Sequence, residues 1–321
     1  MTLVAGGLVP ATEAHAEPKP SARELTAQQK KLADQAEQIS EQYNGLRVRL
    51  EQAQRAAKIA KQNAARQQRA LESVRGKVTH MAADSYKNGG VDPSVALATS
   101  ANPQSLLDRS ATLNYFAAQN DTRLSALLQT MQAAERARKA AQDREAQVDR
   151  LANEARQKRQ RVQTLLKKVE SKIGRAQSGY NGPVPNINPG GASAKALSAV
   201  QSALGRLGTP YSWGGGGPNG PTYGTAQGAN TKGFDCSGLT LYAYAQVGIG
   251  LPHYTGAQYN AGTHVTRDQL RPGDLVFFHS DLHHMGMYIG DGNMIHAPQT
   301  GDVVKISPLA GRAWAGAVRI A

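Results

Sequence analysis

Residues 22–87 form a stretch of 66 positions with no proline and only two glycines, Gly45 and Gly76. Apolar side chains recur along it every seven positions, with a second set four positions after three of them: Leu25, Leu32, Ile39 and Leu46, then Ala36, Tyr43 and Leu50. This spacing predicts one long helix with a seam that packs against another helix, as in a coiled coil. Such a helix spans about 100 Å at 1.5 Å per residue, so the segment cannot be a compact domain.

A second helix is predicted after a break. Asn88, Gly89 and Gly90 end the first helix, Pro93 and Pro103 bracket the break, and apolar residues at a 3.5-residue spacing continue to position 173. We therefore predict an all-α antiparallel coiled-coil hairpin over residues 22–178. The break itself, residues 91–107, is apolar enough to dock on another protein or on the rest of the chain.

The charge of the chain is concentrated in this helical part. Residues 1–180 carry 29 basic and 18 acidic side chains, and residues 181–321 carry 8 and 6. The surplus is compatible with an anionic envelope polymer or membrane surface, but a solvated coiled-coil exterior is the preferred explanation, since long helices are commonly rich in charged residues. Nucleic acid is not an expected partner, because only 5 of the 17 aromatic residues lie in this part and no binding motif is present.

The first sixteen residues are similar to a secretory signal. A short apolar run is followed by Ala14, His15 and Ala16, an A-x-A cleavage pattern, but no Lys or Arg precedes Lys19. A truncated signal and an ordinary terminus both remain open, and the signal is favoured. Export predicts an extracytoplasmic protein, and it makes an unpaired cysteine notable. No run of about 18 apolar residues is present to span a membrane.

A Pro/Gly/Asn-rich linker, residues 179–193, separates the helices from a glycine-rich domain at residues 194–321. Ser193 is suited to cap a helix, a second helix follows Asp235, and short strands are predicted at 274–278, 284–289, 294–296 and 303–306. Helices followed by a run of strands indicate an α+β fold.

Cys236, the single cysteine, is the predicted nucleophile. Asp235 is a favourable N-cap residue, which places Cys236 in the first turn of a helix, where the helix dipole favours the thiolate. The alternative is a buried cysteine that acts only as a small apolar side chain. The polar neighbours Asp235 and Ser237 argue against it.

Strand alternation selects His284 as the base for that nucleophile. Positions 285, 287 and 289 are apolar and are expected to face the core, so His284 shares the other face with Gly286. His296, on the next strand, is the predicted orienting partner. A turn centred on Gly290 would place His296 directly opposite His284, whereas a two-residue turn at Asp291 and Gly292, the stronger local signal, would separate their faces.

Metal-ligand residue types are dense at 279–284, which contains His279, Asp281, His283 and His284. This spacing matches no helical i, i+4 pair and lies partly in a turn, so we expect a site without a metal or other cofactor.

Five motifs, taken together in order and spacing, resemble the NlpC/p60 family of secreted bacterial cell-wall cysteine endopeptidases. They are Tyr211-Ser212-Trp213-Gly214-Gly215, Phe234-Asp235-Cys236-Ser237-Gly238-Leu239, Arg271-Pro272-Gly273-Asp274-Leu275, His284-Met285-Gly286-Met287-Tyr288-Ile289-Gly290 and Met294-Ile295-His296-Ala297. The resemblance covers about residues 194–321 and implies a papain-like fold.

The resemblance also implies roles for individual residues. It makes Cys236 the nucleophile, His284 the base and His296 the orienting partner, and it places Tyr211 against the cysteine. The positions of Asp235 and Ser237 correspond to contacts with the N-terminal side of a peptidoglycan stem peptide. The bond implied is that between a γ-linked D-glutamyl residue and a diamino acid.

Two further features qualify this resemblance. The insert at residues 216–232 is longer than in many members and is similar to that of actinobacterial ones. The helical hairpin is similar to those of division-site hydrolases, some of which stay inactive until a membrane complex engages the hairpin. Two other functions remain open: an amidase or acyltransferase with the same Cys–His pair, and a non-enzymatic scaffold that binds the wall.

Overall fold

The computed structural model describes residues 22–87, 103–170 and 180–321. The signal-like segment 1–16 and most of the apolar break lie outside these residues. The chain divides into two units, one formed by Met1–Glu41 with Arg161–Ala321 and the other by Gln42–Gln160. Two long helices, α1 (Ala22–Lys87) and α2 (Pro103–Glu170), contribute to both units.

The unit Gln42–Gln160 is an antiparallel pair of helices. Lys158 Nζ donates to Gln42 Oε1, and Lys61 Nζ lies 3.8 Å from a carboxylate oxygen of Glu145. Partner positions therefore descend along α2 as they ascend along α1, which confirms the predicted direction of the hairpin. Its buried side chains are mostly small, which allows close approach of the two helices: Ala53, Ala134, Ala137, Ala141 and Ala155.

The C-terminal part of the other unit confirms the predicted α+β fold. Helix α3 (Ala194–Leu204) begins where the side chain of Ser193 accepts a hydrogen bond from the Ala196 N–H, as predicted. Helix α4 (Cys236–Ala245) packs against α3 and against a strand of the main sheet, and α5 (Thr255–Tyr259) follows.

A six-stranded antiparallel sheet, of order β3-β8-β4-β5-β6-β7, carries the predicted histidines. Its strands are β3 (Thr263–Val265), β4 (Leu275–Phe278), β5 (His284–Gly290), β6 (Asn293–His296), β7 (Lys305–Pro308) and β8 (Trp314–Arg319). Every residue of β4, a central strand of this sheet, is buried. The strand expected at 303–306 begins two residues later, and β3 and β8 were not predicted.

The connection between β5 and β6 settles the two alternatives for the histidine pair. Asp291 and Gly292, with φ of 50° and 71°, form the two-residue turn, and Gly290 pairs with Asn293. A bulge between Tyr288 and Gly290 then shifts the register by one residue, so that Met287 pairs with Ile295. The Asp-Gly turn is therefore present, but the expectation that it would separate the faces of His284 and His296 is wrong.

The insert folds onto the domain as a separate small sheet. This small sheet consists of two antiparallel strands that precede the main sheet in the sequence, β1 (Thr222–Tyr223) and β2 (Lys232–Gly233). The Thr225 N–H donates to the Trp213 carbonyl, which ties the insert to the glycine-rich segment before it. Among the described residues, no helix has the length and apolarity needed to cross a membrane.

Candidate active site

Cys236 lies in the first turn of α4, which Asp235 caps. Asp235 Oδ1 accepts from the Gly238 N–H at 2.7 Å, and Oδ2 accepts from the Gly214 N–H at 3.0 Å. A Cβ at Gly238 would lie 2.1 Å from the Gly215 carbonyl oxygen, so only glycine lets the two backbones approach this closely. Cys236 itself is buried, with 1% of its surface exposed.

Three side chains form a hydrogen-bonded chain across β5, β6 and β7. Nε2 of His284 lies 2.8 Å from Nδ1 of His296, and Nε2 of His296 lies 2.9 Å from Ser307 Oγ. Continuing the shifted register places Gly286 opposite His296, and a Cβ on Gly286 would lie 3.1 Å from the Cβ of His296. His284, two residues before Gly286, is therefore a diagonal neighbour of His296 and not its direct partner.

Cys236 and His284 meet with a third residue that the sequence did not reveal. Ligand atoms of Cys236, His284 and Glu37 lie within 4.8 Å of one another, and all three residues are buried. Glu37 lies on α1, where its Oε1 is 2.5 Å from Nδ1 of His284. Because Nε2 of His284 is engaged by His296, Nδ1 is the nitrogen left to serve the thiol, and Glu37 holds it.

Glu41, one helical turn further along α1, contacts the other side of the cysteine. Its Oε1 lies 3.8 Å from Cys236 Sγ and accepts from Ser237 Oγ at 3.2 Å, while its Oε2 accepts from the Thr255 N–H at 3.0 Å. Glu41 is 3% exposed and Glu37 is 8% exposed. The two carboxyl groups thus occupy the surroundings of Cys236 and His284.

Burial sets the protonation of this group of residues. It raises the pKa of the Cys236 thiol well above its usual value, and the carboxylates of Glu41 and Glu37 raise it further. Burial also raises the pKa of Glu37 well above its usual value and lowers that of His284 to about 3, because it disfavours the charged form of each group. The helix N-terminus was expected to favour the thiolate, but here desolvation and two carboxyl groups outweigh it.

The remaining predicted residues lie around the cysteine. Tyr211 is buried, and the pKa of its phenol is raised first by burial and then by Glu37 and Cys236. Ser237 Oγ contacts both Asp235 and Glu41. His253 was not singled out from the sequence, yet its Nε2 lies 2.8 Å from Asp235 Oδ1.

A second group of metal-ligand side chains lies beside the first. Ligand atoms of Asp34, His279 and His283 are within 4.8 Å of one another. A cavity of about 770 Å³ adjoins both groups, lined by Asp34, Glu37, His279, His284 and His296 among others.

Comparison with known proteins identifies the family of this chain. Residues 208–321 match the sequence profile of the NlpC/P60 family. The peptidoglycan endopeptidase RipA of Mycolicibacterium smegmatis is 50% identical over 111 residues, which are 34% of this chain and 22% of that protein. The peptidoglycan endopeptidase RipB of Mycobacterium tuberculosis is 40% identical over 162 residues, 47% of this chain and 67% of RipB.

A solved structure is also similar to the C-terminal domain. It is RipD from Mycobacterium tuberculosis, described as a non-catalytic NlpC/p60 domain protein adapted to peptidoglycan binding. The two sequences are 39% identical over a match that covers 40% of this chain and 99% of the RipD chain, with a TM-score of 0.38. The chain belongs to the NlpC/P60 family, and its curated relatives are named peptidoglycan endopeptidases. It spans about a fifth of the length of the RipA protein above.

Proposed function

We propose that this chain is an exported peptidoglycan endopeptidase that is latent, with helix α1 as its inhibitor. The observation that carries the proposal is that Cys236, His284 and Glu37 meet in one buried cluster. The first two are the pair that a cysteine hydrolase needs, and the third comes from helix α1, 199 positions before Cys236 and 247 before His284. The substrate is the stem peptide of peptidoglycan, cut between the γ-linked D-glutamyl residue and the diamino acid.

The active state requires the thiol and the imidazole to exchange a proton. Nδ1 of His284 removes the proton of Cys236, and the thiolate attacks the scissile carbonyl carbon. His296 holds the ring of His284 through their 2.8 Å bond, and Ser307 holds His296 in turn. These hydrogen bonds, from Ser307 through His296 to His284, fix which nitrogen of His284 faces the thiol. The third member of a catalytic triad performs the same role.

The tetrahedral intermediate is stabilised by backbone N–H groups at the start of α4. The Gly238 N–H is committed to Asp235, so we assign the oxyanion to the earlier N–H groups, those of Cys236 and Ser237. His284 then donates its proton to the leaving amine as the C–N bond breaks. Water, deprotonated by His284, hydrolyses the thioester and regenerates the thiol.

Helix α1 is incompatible with this sequence of events in its present position. Glu37 holds Nδ1 of His284, and Glu41 engages Cys236 Sγ and Ser237 Oγ. A stem peptide must reach the same atoms, so α1 has to leave before substrate binds. A membrane division complex that pulls on the hairpin is the kind of partner that would release it.

Two other functions make different predictions. An amidase or acyltransferase would use the same Cys–His pair on another acyl bond. A wall-binding scaffold would not need Cys236 close to His284, nor His284 bonded to His296. The proximity of the first pair and the hydrogen bond of the second favour catalysis over that alternative.

The test uses the full chain with Glu37→Ala and Glu41→Ala combined, incubated with purified peptidoglycan, followed by mass analysis of the products. We expect new diamino acid amino termini to appear faster than with the unaltered chain. Glu51→Ala with Glu72→Ala is the matched control, because both are exposed glutamates of the same helix.

Each outcome has a distinct meaning. Adding Cys236→Ala to the double variant must abolish the products, and products that persist would reject the cysteine mechanism. New ends at the amide between sugar and peptide would identify an amidase. No products from any variant, with wall binding retained, would favour the scaffold. Equal rates for the double variant and the unaltered chain would reject α1 as the inhibitor.

A further inference from the structure

The loop between β4 and β5 presents two histidines to helix α1. The rings of His279 and His283 stack with their centroids 4.0 Å apart and their planes at 23°. Asp34, one turn before Glu37 on α1, places its Oδ1 3.2 Å from Nε2 of His283. From this geometry we propose that Asp34, His279 and His283 form a Zn²⁺ site that fastens α1 to the catalytic domain.

The donor set suits this ion. Two imidazole nitrogens and one carboxylate oxygen are a common set for Zn²⁺ sites that keep one coordination position for water. Atoms bound to one Zn²⁺ at about 2.0–2.1 Å lie no more than roughly 4.2 Å apart. The three ligand atoms here are already within 4.8 Å of one another, so small side-chain rotations bring them onto one ion.

The surroundings orient the ligands in advance. Asp281 Oδ1 lies 2.5 Å from Nδ1 of His283, which leaves Nε2 to face Asp34. A carboxylate behind a metal-binding histidine is the usual outer partner in such sites. His279 adopts φ of 65°, a conformation unusual for a histidine, and its N–H is held by the Ala313 carbonyl at 2.7 Å. The loop is therefore held in the conformation that stacks the two rings.

Access and burial are compatible with a bound ion that keeps a water ligand. His283 is 5% exposed, whereas the side chain of Asp34 is 55% exposed and, with His279, lines the cavity of about 770 Å³. The ion can enter from this cavity, which also supplies the water. Segment 279–284 alone offers no suitable spacing, and the third ligand comes from α1, 245 positions earlier than His279.

Binding of Zn²⁺ at this site is independent of the proposed function. The effect of the bound metal on latency rests on the proposed function. A Zn²⁺ ion at this site holds α1 one turn from Glu37, and so stabilises the state in which Glu37 occupies the active site. The proposal therefore links the release of α1 to loss of the metal.

Titration of Zn²⁺ into the tag-free full chain by calorimetry tests the site, with Co²⁺ absorption as a second readout. The background is Cys236→Ala, which removes the thiol of the neighbouring Glu37–Cys236–His284 group. We expect one equivalent to bind, and His279→Ala or Asp34→Ala to weaken binding at least about tenfold. His264→Ala is the matched control, because His264 is an exposed histidine of β3.

Asp34→Ala keeps the test decisive should a histidine variant fail to fold, because Asp34 lies on an exposed helix position. Circular dichroism of each variant checks the fold. Binding that is unchanged in Asp34→Ala and His279→Ala would overturn the proposal, as would binding seen only when Cys236 is intact. If the metal binds as expected but the Glu37→Ala/Glu41→Ala chain remains inactive, the site stands and the proposed function fails separately.

Discussion

Glu37 and His284 lie 247 positions apart in the sequence, and a carboxyl oxygen of the first is 2.5 Å from Nδ1 of the second. The nitrogen that a cysteine hydrolase needs as its base is therefore already bonded within the same chain. The proposed latency requires no modification of Cys236, because activation would need only that α1 move away.

Reactivity of the thiol is the most direct measure of this arrangement. Burial and the carboxylates of Glu41 and Glu37 raise the pKa of Cys236, so we expect the full chain to react slowly with iodoacetamide at pH 8. Glu37→Ala with Glu41→Ala removes both carboxylates and admits water. The pKa then falls, and each unit of that fall gives about a tenfold faster alkylation while the pH stays below the pKa.

The single cysteine makes this experiment simple, because mass spectrometry then reports one adduct per chain. The Glu51→Ala/Glu72→Ala chain should label as slowly as the unaltered one. Fast labelling of the unaltered chain would show that α1 does not protect the thiol.

We expect substitutions of His296 and Ser307 to lower kcat by different factors. In the Glu37→Ala/Glu41→Ala background, His296→Ala frees the ring of His284 and should lower kcat by about 10²-fold, since loss of alignment of this size is typical of a misplaced base. Ser307→Ala removes only the far end of the chain and should lower kcat by a smaller factor. Steady-state rates on a soluble stem peptide separate the two.

A positioning role predicts that kcat falls while KM changes little, because neither residue is expected to bind substrate. A rise in KM alone would instead assign His296 to substrate binding. Unaltered kcat in His296→Ala would remove it from the proposed catalytic group.

Gly286→Ala tests the close approach between β5 and β6. The added Cβ would lie 2.7 Å from the sulfur of Met294 and 3.1 Å from the Cβ of His296. We expect a loss of about 1–3 kcal/mol in the free energy of unfolding, the usual cost of overpacking. Gly250→Ala is the control, because a Cβ there meets nothing within 4 Å. Equal denaturant midpoints for the two variants would contradict the packing described.

The ion pair between Asp274 and Arg319 should contribute to stability. Arg319 donates to both carboxylate oxygens, at 2.9 and 2.7 Å, and the Asp274 side chain is 3% exposed. Arg319→Ala leaves a buried carboxylate without its cation, and we expect a loss of about 2 kcal/mol, less than for a fully buried pair because the arginine is 25% exposed. Lys195→Ala, at an exposed helix position, should leave the unfolding midpoint unchanged.

Much of the fold could be predicted from local sequence patterns. The bounds of α1, the cap at Ser193, the α+β character and the strand that begins at His284 all follow from spacing and turn residues within a few positions of each other. β3 and β8 were missed because they are short or rich in glycine and alanine, and their pairing partners are distant in the sequence.

No local sequence pattern indicates that residues of α1 contact Cys236 and His284. Glu37 and Glu41 look like any exposed acids of a charged helix, and only the tertiary contact buries them. The bulge before Gly290 was equally hidden, because a bulge is decided by how two strands pair. His253 contacts Asp235 and Ser307 contacts His296, and neither contact is indicated by the sequence.

The bulge in β5 also shows which change in the length of the connection to β6 the site can tolerate. Side chains alternate between the two faces of a strand, so the same residues paired without a bulge behind the Asp291-Gly292 turn would place Met287 opposite His296 and turn that ring away from His284. The bulge accommodates Ile289 as the extra residue and thereby keeps Gly286 opposite His296. A homologous chain with one residue fewer between the two histidines can therefore keep their contact with a regular ladder and no bulge.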